Sequence, residues 1–184
     1  LIGFPLGHSF SQKYFSEKFK KEHLSDVEYT NFPIESIDNL PEIIQSNPDL
    51  SGLNVTIPYK EKVIHFLDDI DSVAKRIGAV NTLKINRNSN NIKGYNTDYY
   101  GFIESIKPAL RDYHTHALIL GTGGASKAIF HALKDLSIDA CFVSRNPNNS
   151  AVFNYEDLDQ KIISKFKIIV NCSPLGTFPD VEKA

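Results

Sequence analysis

Lys60 ends the stretch Gly52-Leu-Asn54-Val-Thr56-Ile-Pro58-Tyr-Lys60, and a strand exit is a common place for chemistry on a rigid scaffold. Leu53, Val55 and Ile57 alternate with Asn54 and Thr56, the two-residue period of a strand with unlike faces. Pro58 cannot donate to a sheet ladder, so the strand is expected to stop there. Taken alone, Lys60-Glu61-Lys62 reads more readily as a solvated charge run opening a helix, since lysine is mostly exposed. Three more polar clusters bear on the choice: Ser9-Phe-Ser11, Ile77-Gly-Ala-Val80-Asn81-Thr82 and Gly94-Tyr-Asn96-Thr97-Asp98. Each falls at an expected strand end or turn. With Asn54, Thr56 and Lys60 they offer hydroxyls, amides, one cation and one anion, which suits a small polyhydroxy acid better than an apolar ligand. Ser11 and Asp98 also fit helix N-caps, and Asn81 and Thr82 fit ordinary strand positions. His8 and Ser9 are neighbours on an extended segment and point apart, so they make no catalytic pair. His114 and His116 lack a supporting Cys/His cluster and read as a surface connection, so no metal site is expected.

A second chemistry sits further along. Gly121-Thr122-Gly123-Gly124-Ala125-Ser126 follows an apolar run and opens a helical one, the context of a dinucleotide-binding turn. Gly121 permits the tight turn, Gly123 lets the backbone approach a pyrophosphate, and the helix N-terminus turns N–H groups towards it. Ser126 takes the place of the third glycine and is small enough for close helix packing. The next strand ends in Val143-Ser144-Arg145-Asn146, without the acid that would bond the ribose 2′-hydroxyl of NAD. The planar fork of Arg145 matches a 2′-phosphate, and Ser144 and Asn146 add hydrogen bonds, so NADP is the expected cofactor.

The elements that must position these groups alternate along the chain. Strands are expected over 1–4, 27–34, 53–57, 117–120, 140–143 and 167–171, with a hairpin formed by 80–86 and 91–96. Helices are expected from Ser11 to about residue 23 and over 37–46, 60–67, 72–77, 98–106, 125–136 and 158–164. Unbroken apolar strands after residue 110 imply a parallel sheet covered on both faces. The expected fold is α/β: a substrate-binding and catalytic domain over 1–110, then an incomplete Rossmann-like NADP-binding domain over 111–184 holding the first βαβαβ half. Of 184 residues, 41% are hydrophobic and 23% charged, enough for a packed core. The net charge of -2 argues against non-specific nucleic-acid binding, and no apolar run is long enough for a membrane helix. Cys141 and Cys172, both expected in buried strands, fit a reducing cytoplasm better than a disulfide framework. The chain has no methionine and opens inside an apolar run, so it is expected to be a fragment cut at both ends.

Taken together, the clusters resemble the shikimate dehydrogenase family over essentially the whole chain and in the family's order. The resemblance is carried by Gly3-Phe-Pro5-Leu-Gly-His8-Ser9-Phe-Ser11, Gly52–Lys60, Gly78-Ala-Val-Asn81-Thr82 and Gly94-Tyr-Asn96-Thr97-Asp98-Tyr-Tyr-Gly101. It continues through Gly121–Ala125, Ser144-Arg145-Asn146 and Asn171-Cys-Ser173-Pro-Leu-Gly176. It implies reversible NADPH-dependent reduction of 3-dehydroshikimate to shikimate, on the route to chorismate and the aromatic amino acids. By the same resemblance Ser9, Ser11, Thr56, Asn81 and Asp98 bind the substrate, and Lys60 and Asp98 are the catalytic pair. Gly121, Thr122, Gly123, Gly124, Ala125, Ser144, Arg145, Asn146 and Asn149 fall to the cofactor. Gln12 stands where the family usually has proline, and Asn149 where it is often basic, which leaves Arg145 as the main charge contact. The resemblance also implies a further C-terminal part with more strands and substrate contacts. A cytoplasmic monomer or homodimer acting on a small molecule, without nucleic acid or membrane, is expected. Two rivals remain: an NAD(P)-dependent quinate/shikimate paralogue, and a non-catalytic ligand-binding relative on the same fold. Retention of both serines favours the shikimate branch, and retention of Lys60 with Asp98 favours an enzyme.

Overall fold

Period-two strands around Leu53 and Leu83 build the first sheet of the computed structural model, which describes residues 1–7, 9–145, 152–176 and 181–183. The chain divides into two units, residues 1–75 with 80–95, and residues 76–79 with 96–184. The first carries β1 (Ile2–Gly3), α1 (Ser11–Lys21), β2 (Phe32–Pro33), α2 (Leu40–Ser46), β3 (Gly52–Asn54) and β4 (Asp69–Ile70). After α3 (Ser72–Ile77), which crosses the boundary, come β5 (Thr82–Asn86) and β6 (Asn91–Tyr95). Strands lie in the order β3-β5-β6-β4, antiparallel except for the β6/β4 pair. Leu53 faces Leu83 across the ladder, and both are buried. β1 pairs in parallel with β2 and bridges Val55 through Ile2, so it runs beside the chain leaving β3. Any side chain at Gly3 would collide with Thr56 and the Ile57 carbonyl, so only glycine lets β1 press this closely on the lysine motif. Ile2, Leu40, Val63, Val80 and Leu83 form the centre of this core.

The second unit contains α4 (Thr97–Ile106), β7 (His116–Leu120), α5 (Gly124–Asp135), β8 (Asp139–Val143), β9 (Val152–Phe153), α6 (Gln160–Lys165) and β10 (Ile168–Asn171). Its four strands are all parallel in the order β10-β7-β8-β9. The apolar run of β7 is buried on both faces: Ala117 and Ile119 pack with Ile129 and Leu133 of α5, while Leu118 packs with Val143 and Phe166. The strand order reverses between β7 and β10, and ligands of open α/β sheets bind at the carboxyl ends beside such a reversal. Arg76 at the end of α3 forks onto the Asp135 carboxylate at the end of α5, which also accepts from the Tyr99 hydroxyl of α4. α4, which lies before residue 110, packs on α5.

Several elements differ from the sequence reading. Residues 27–34 pair as a strand only at Phe32 and Pro33, against β1; elsewhere the segment is held by single bonds, from the Leu1 amine to the Thr30 carbonyl and from the Tyr59 hydroxyl to the Ile34 carbonyl. The expected strand to Ile57 stops at Asn54, with Val55 held in a single bridge, and the helix after Lys60 is a short 3-10 helix, Lys62–Phe66. β4 and β9 have no counterpart in the sequence reading, being two residues each and too short for a period. Cys172 lies just past β10, and both cysteines are half-buried rather than buried. Among the described residues, no helix is long and apolar enough to cross a membrane.

Candidate active site

The lysine motif is fixed by its backbone and by a neighbouring tyrosine. Thr56 donates its amide to the Ile2 carbonyl (3.0 Å), and Val55 donates to the carbonyl of Asn81 (2.8 Å). Tyr59 is 2% exposed and its hydroxyl donates to the Ile34 carbonyl at 2.6 Å, which anchors the chain immediately before Lys60. The Lys60 carbonyl then accepts from the amide of Val80 (2.7 Å), and Asn81 donates to the carbonyl of Tyr95 (3.0 Å). Thr56, Lys60 and Asn81 are thereby brought to one end of the first unit's sheet, with Asn81 buried and the other two half-buried. Ser9, half-buried, donates its amide to the Leu6 carbonyl in the loop after β1. Ser11 is not the N-cap: Phe10 holds that position without a side-chain bond, and Ser11 is the first residue of α1.

A chain of polar side chains leads from Tyr29 to Asn81. The Tyr29 hydroxyl donates to Asn54 Oδ1 (2.8 Å), Asn54 Nδ2 to Thr82 Oγ1 (3.3 Å), and the Thr82 hydroxyl to Asn81 Oδ1 (3.0 Å). Burial pushes the Tyr29 phenol above its ordinary pKa, with a hydrogen bond from the Ser11 side chain opposing it. Asn54 and Thr82 were visible as motif residues; nothing in the sequence marked Tyr29, which is 25 positions from its partner. A cavity of about 820 Å³ borders Tyr29, Asn54 and Thr82, but Lys60 and Asn81 do not line it.

In the second unit, Asp98 lies in the first turn of α4 and is half-buried. The cap is Asn96, not Asp98. Asn96 is 1% exposed, accepts from the Tyr99 amide (3.2 Å) and donates to the Ala79 carbonyl (2.9 Å). An aspartate has no donor for that carbonyl, which is why the amide takes the position. His114 Nδ1 accepts from the Arg111 amide, which turns it into its own loop.

The glycine turn lies at the carboxyl end of β7. Gly121 has φ +104° and donates its amide to the Val143 carbonyl (2.9 Å). A Cβ there would come within 3.2 Å of the Cys172 carbonyl, so Gly121 meets both conditions that demand glycine. At Gly123 a Cβ would meet nothing within 4 Å among the described residues. Gly123 caps α5 without a side-chain bond, while Ser126 is fully buried and donates to the Gly123 carbonyl (2.6 Å). Thr122, Gly124 and Ala125 complete the turn into α5. Ser144 donates its amide to Phe153, and Arg145 is exposed at the end of β8, the strand paired with β7. A glycine-rich turn, an uncapped helix start and a nearby guanidinium fit a phosphorylated dinucleotide. Asn146 and Asn149 lie outside the described residues.

A mixed-sheet unit with a lysine motif, followed by a parallel unit with this turn, defines a two-domain, dinucleotide-dependent oxidoreductase. Residues 1–83 match the family described as the shikimate dehydrogenase substrate binding domain. The shikimate dehydrogenase (NADP(+)) of Syntrophomonas wolfei is 38% identical over 203 residues, covering 100% of this chain and 69% of its own length. The chain belongs to the shikimate dehydrogenase family. A crystal structure of shikimate dehydrogenase 1 from Peptoclostridium difficile, 35% identical, superposes with a TM-score of 0.80 over 98% of this chain and 67% of its own. The shikimate 5-dehydrogenase of Thermus thermophilus, solved with NADP(H) and shikimate, is 25% identical with a TM-score of 0.76, covering 100% of this chain and 70% of its own.

Proposed function

We propose that the chain carries out the reversible NADPH-dependent reduction of 3-dehydroshikimate to shikimate, with residues 1–110 serving the substrate and 111–184 the cofactor. When bound, NADPH supplies the hydride. The chain's own residues must hold the acid and move a proton at the reacting oxygen. Ser9, Ser11, Thr56 and Asn81 bind the carboxylate and hydroxyls. Lys60 and Asp98 handle the proton, one carrying it and the other holding its partner in register. Gly121, Gly123 and the start of α5 receive the pyrophosphate, and Arg145 with Ser144 receives the 2′-phosphate. The reaction is cytoplasmic, run by a monomer or homodimer.

The observation that supports this most is the locking of Lys60 beside Asn81, its carbonyl bonded to the Val80 amide and Tyr59 anchored before it. A positioned proton carrier contributes about 10²–10⁴ in rate. Lys60→Ala is therefore expected to lower kcat by that factor while shikimate still binds with near-native affinity. A near-normal kcat refutes the role. Kinetics with shikimate and quinate, each with NADP and NAD, test the substrate and cofactor: quinate turnover with NAD preferred would overturn the reading.

A further inference from the structure

We propose that Tyr99 is a positioning residue for this reaction, tying the first turn of α4, and with it Asp98, through Asp135 to the end of α5 opposite the glycine turn. The proposal rests on the reading of Asp98 as one of the catalytic pair. Tyr99 follows Asp98 directly and is 8% exposed. Its amide donates to the Asn96 side chain (3.2 Å), and its hydroxyl donates to Asp135 Oδ2 (2.5 Å). Asp135 is the last residue of α5. The Arg76 guanidinium forks onto the same carboxylate, with Nη1 3.1 Å from Oδ1, and stands 5.8 Å from the centre of the Tyr99 ring. These two donors, the guanidinium first, hold the Asp135 carboxyl below the usual carboxylate range, so it is an acceptor at neutral pH.

Phe102, one turn after Tyr99 on α4, packs against the core cluster that holds Ile129 and Leu133 of α5. Apolar contact of this kind is non-directional. A hydrogen bond to a carboxylate is short and directional. Carried at the tip of a long rigid ring, the Tyr99 hydroxyl acts as a lever on the rotation of α4 about its own axis. Asp98 lies about 100° round the helix from Tyr99. A turn of about 10° would carry a carboxylate about 5–6 Å from the axis by roughly 1 Å. A misplacement of about 1 Å can cost on the order of 10²-fold in rate. The glycine turn opens α5 and Asp135 closes it, 12 residues in all. Cofactor turn and Asp98 are thus referred to one helix, the first at its start and the second at its end.

Tyr99→Phe keeps the ring and removes the bond. In the full chain, kcat for shikimate oxidation by NADP is expected to fall about ten- to hundredfold, with the KM for NADP within about twofold of wild type. Asp135→Ala and Asp135→Asn both lose the charge opposite Arg76, but the amide oxygen still accepts from the Tyr99 hydroxyl. Asp135→Ala should therefore match Tyr99→Phe, while Asp135→Asn holds kcat within about threefold of wild type. The double variant Tyr99→Phe/Asp135→Ala should be no worse than either single one. Equal losses of kcat in the two Asp135 variants, or a near-normal kcat in Tyr99→Phe, would overturn the positioning role. Asp98→Asn separates the two readings. If it lowers kcat while Tyr99→Phe does not, only the role of Tyr99 fails. If it leaves kcat near normal, the reading of Asp98 fails and this proposal with it.

Discussion

Replacing Tyr59 with phenylalanine tests whether the lysine motif is held as described. The ring is 2% exposed and stays in place in Tyr59→Phe, so no cavity of consequence opens. What is lost is the donor at 2.6 Å from the Ile34 carbonyl, and Ile34 is itself buried at 8% exposure. A buried carbonyl left without its donor costs about 1–3 kcal/mol, more than the net worth of an exposed hydrogen bond. With a urea slope of about 2 kcal/mol per molar, the midpoint should fall by roughly 0.5–1.5 M at unchanged slope, read by circular dichroism. The Lys60 carbonyl keeps its bond to the Val80 amide, so kcat should fall far less than in Lys60→Ala. The same hydroxyl leaves a mark at high pH. Burial, with the Glu35 charge second, holds the Tyr59 phenol above its ordinary range. The unfolded phenol ionises near pH 10. Above that pH the unfolded chain releases a proton the folded chain retains, so wild-type stability falls as pH rises past about 10. Tyr59→Phe should show a shallower fall. An unchanged urea midpoint, or an alkaline slope equal to that of wild type, would refute the anchoring argument.

Arg145→Gln should raise the KM for NADP about ten- to hundredfold and leave that for NAD nearly unchanged, since a charge-assisted bond to the 2′-phosphate is worth about 1.5–3 kcal/mol. Equal effects on the two cofactors would remove Arg145 from that role. At Asp135, the Arg76 guanidinium first and the Tyr99 hydroxyl second hold the carboxyl below the usual carboxylate range. That stabilisation is present above the unfolded pKa, near 4, and is lost as pH falls towards the folded value. Asp135→Asn should therefore unfold at lower urea than wild type at pH 7, with the gap closing below about pH 4. Because the pair is partly exposed, added salt should narrow the gap too. A gap that persists unchanged at pH 3 would assign the effect to packing instead.

What could be read from sequence was whatever a local rule decides. The β5/β6 hairpin follows from two alternating runs around Arg87–Asn90, and its turn ends on Asn90 at φ 48°, a conformation asparagine tolerates. The turn at Gly121 follows from an apolar strand meeting a helix, and its contact with Cys172 adds a reason that only the fold supplies. Elements decided by a distant partner were not legible. Residues 27–34 alternate like a strand, yet only Phe32 and Pro33 pair as one, against β1. Tyr29 reaches Asn54 across 25 positions, and no spacing rule covers that distance.

Helix starts show the same limit in a form that bears on chemistry. Ser11 and Asp98 each have the right side chain for a cap, and neither is one. The α4 start has two demands at once, an acceptor for the Tyr99 amide and a donor for the Ala79 carbonyl. An amide meets both and an ionised carboxylate cannot, so Asn96 takes the buried position and Asp98 is carried into the first helical turn. There the N-terminal end of the helix dipole favours a negative charge. The competing structural role for Asp98 is thus filled by the residue two places earlier. The carboxylate is held on the first turn of a helix by a cap it does not itself provide, which leaves its side chain without a structural duty at the helix start.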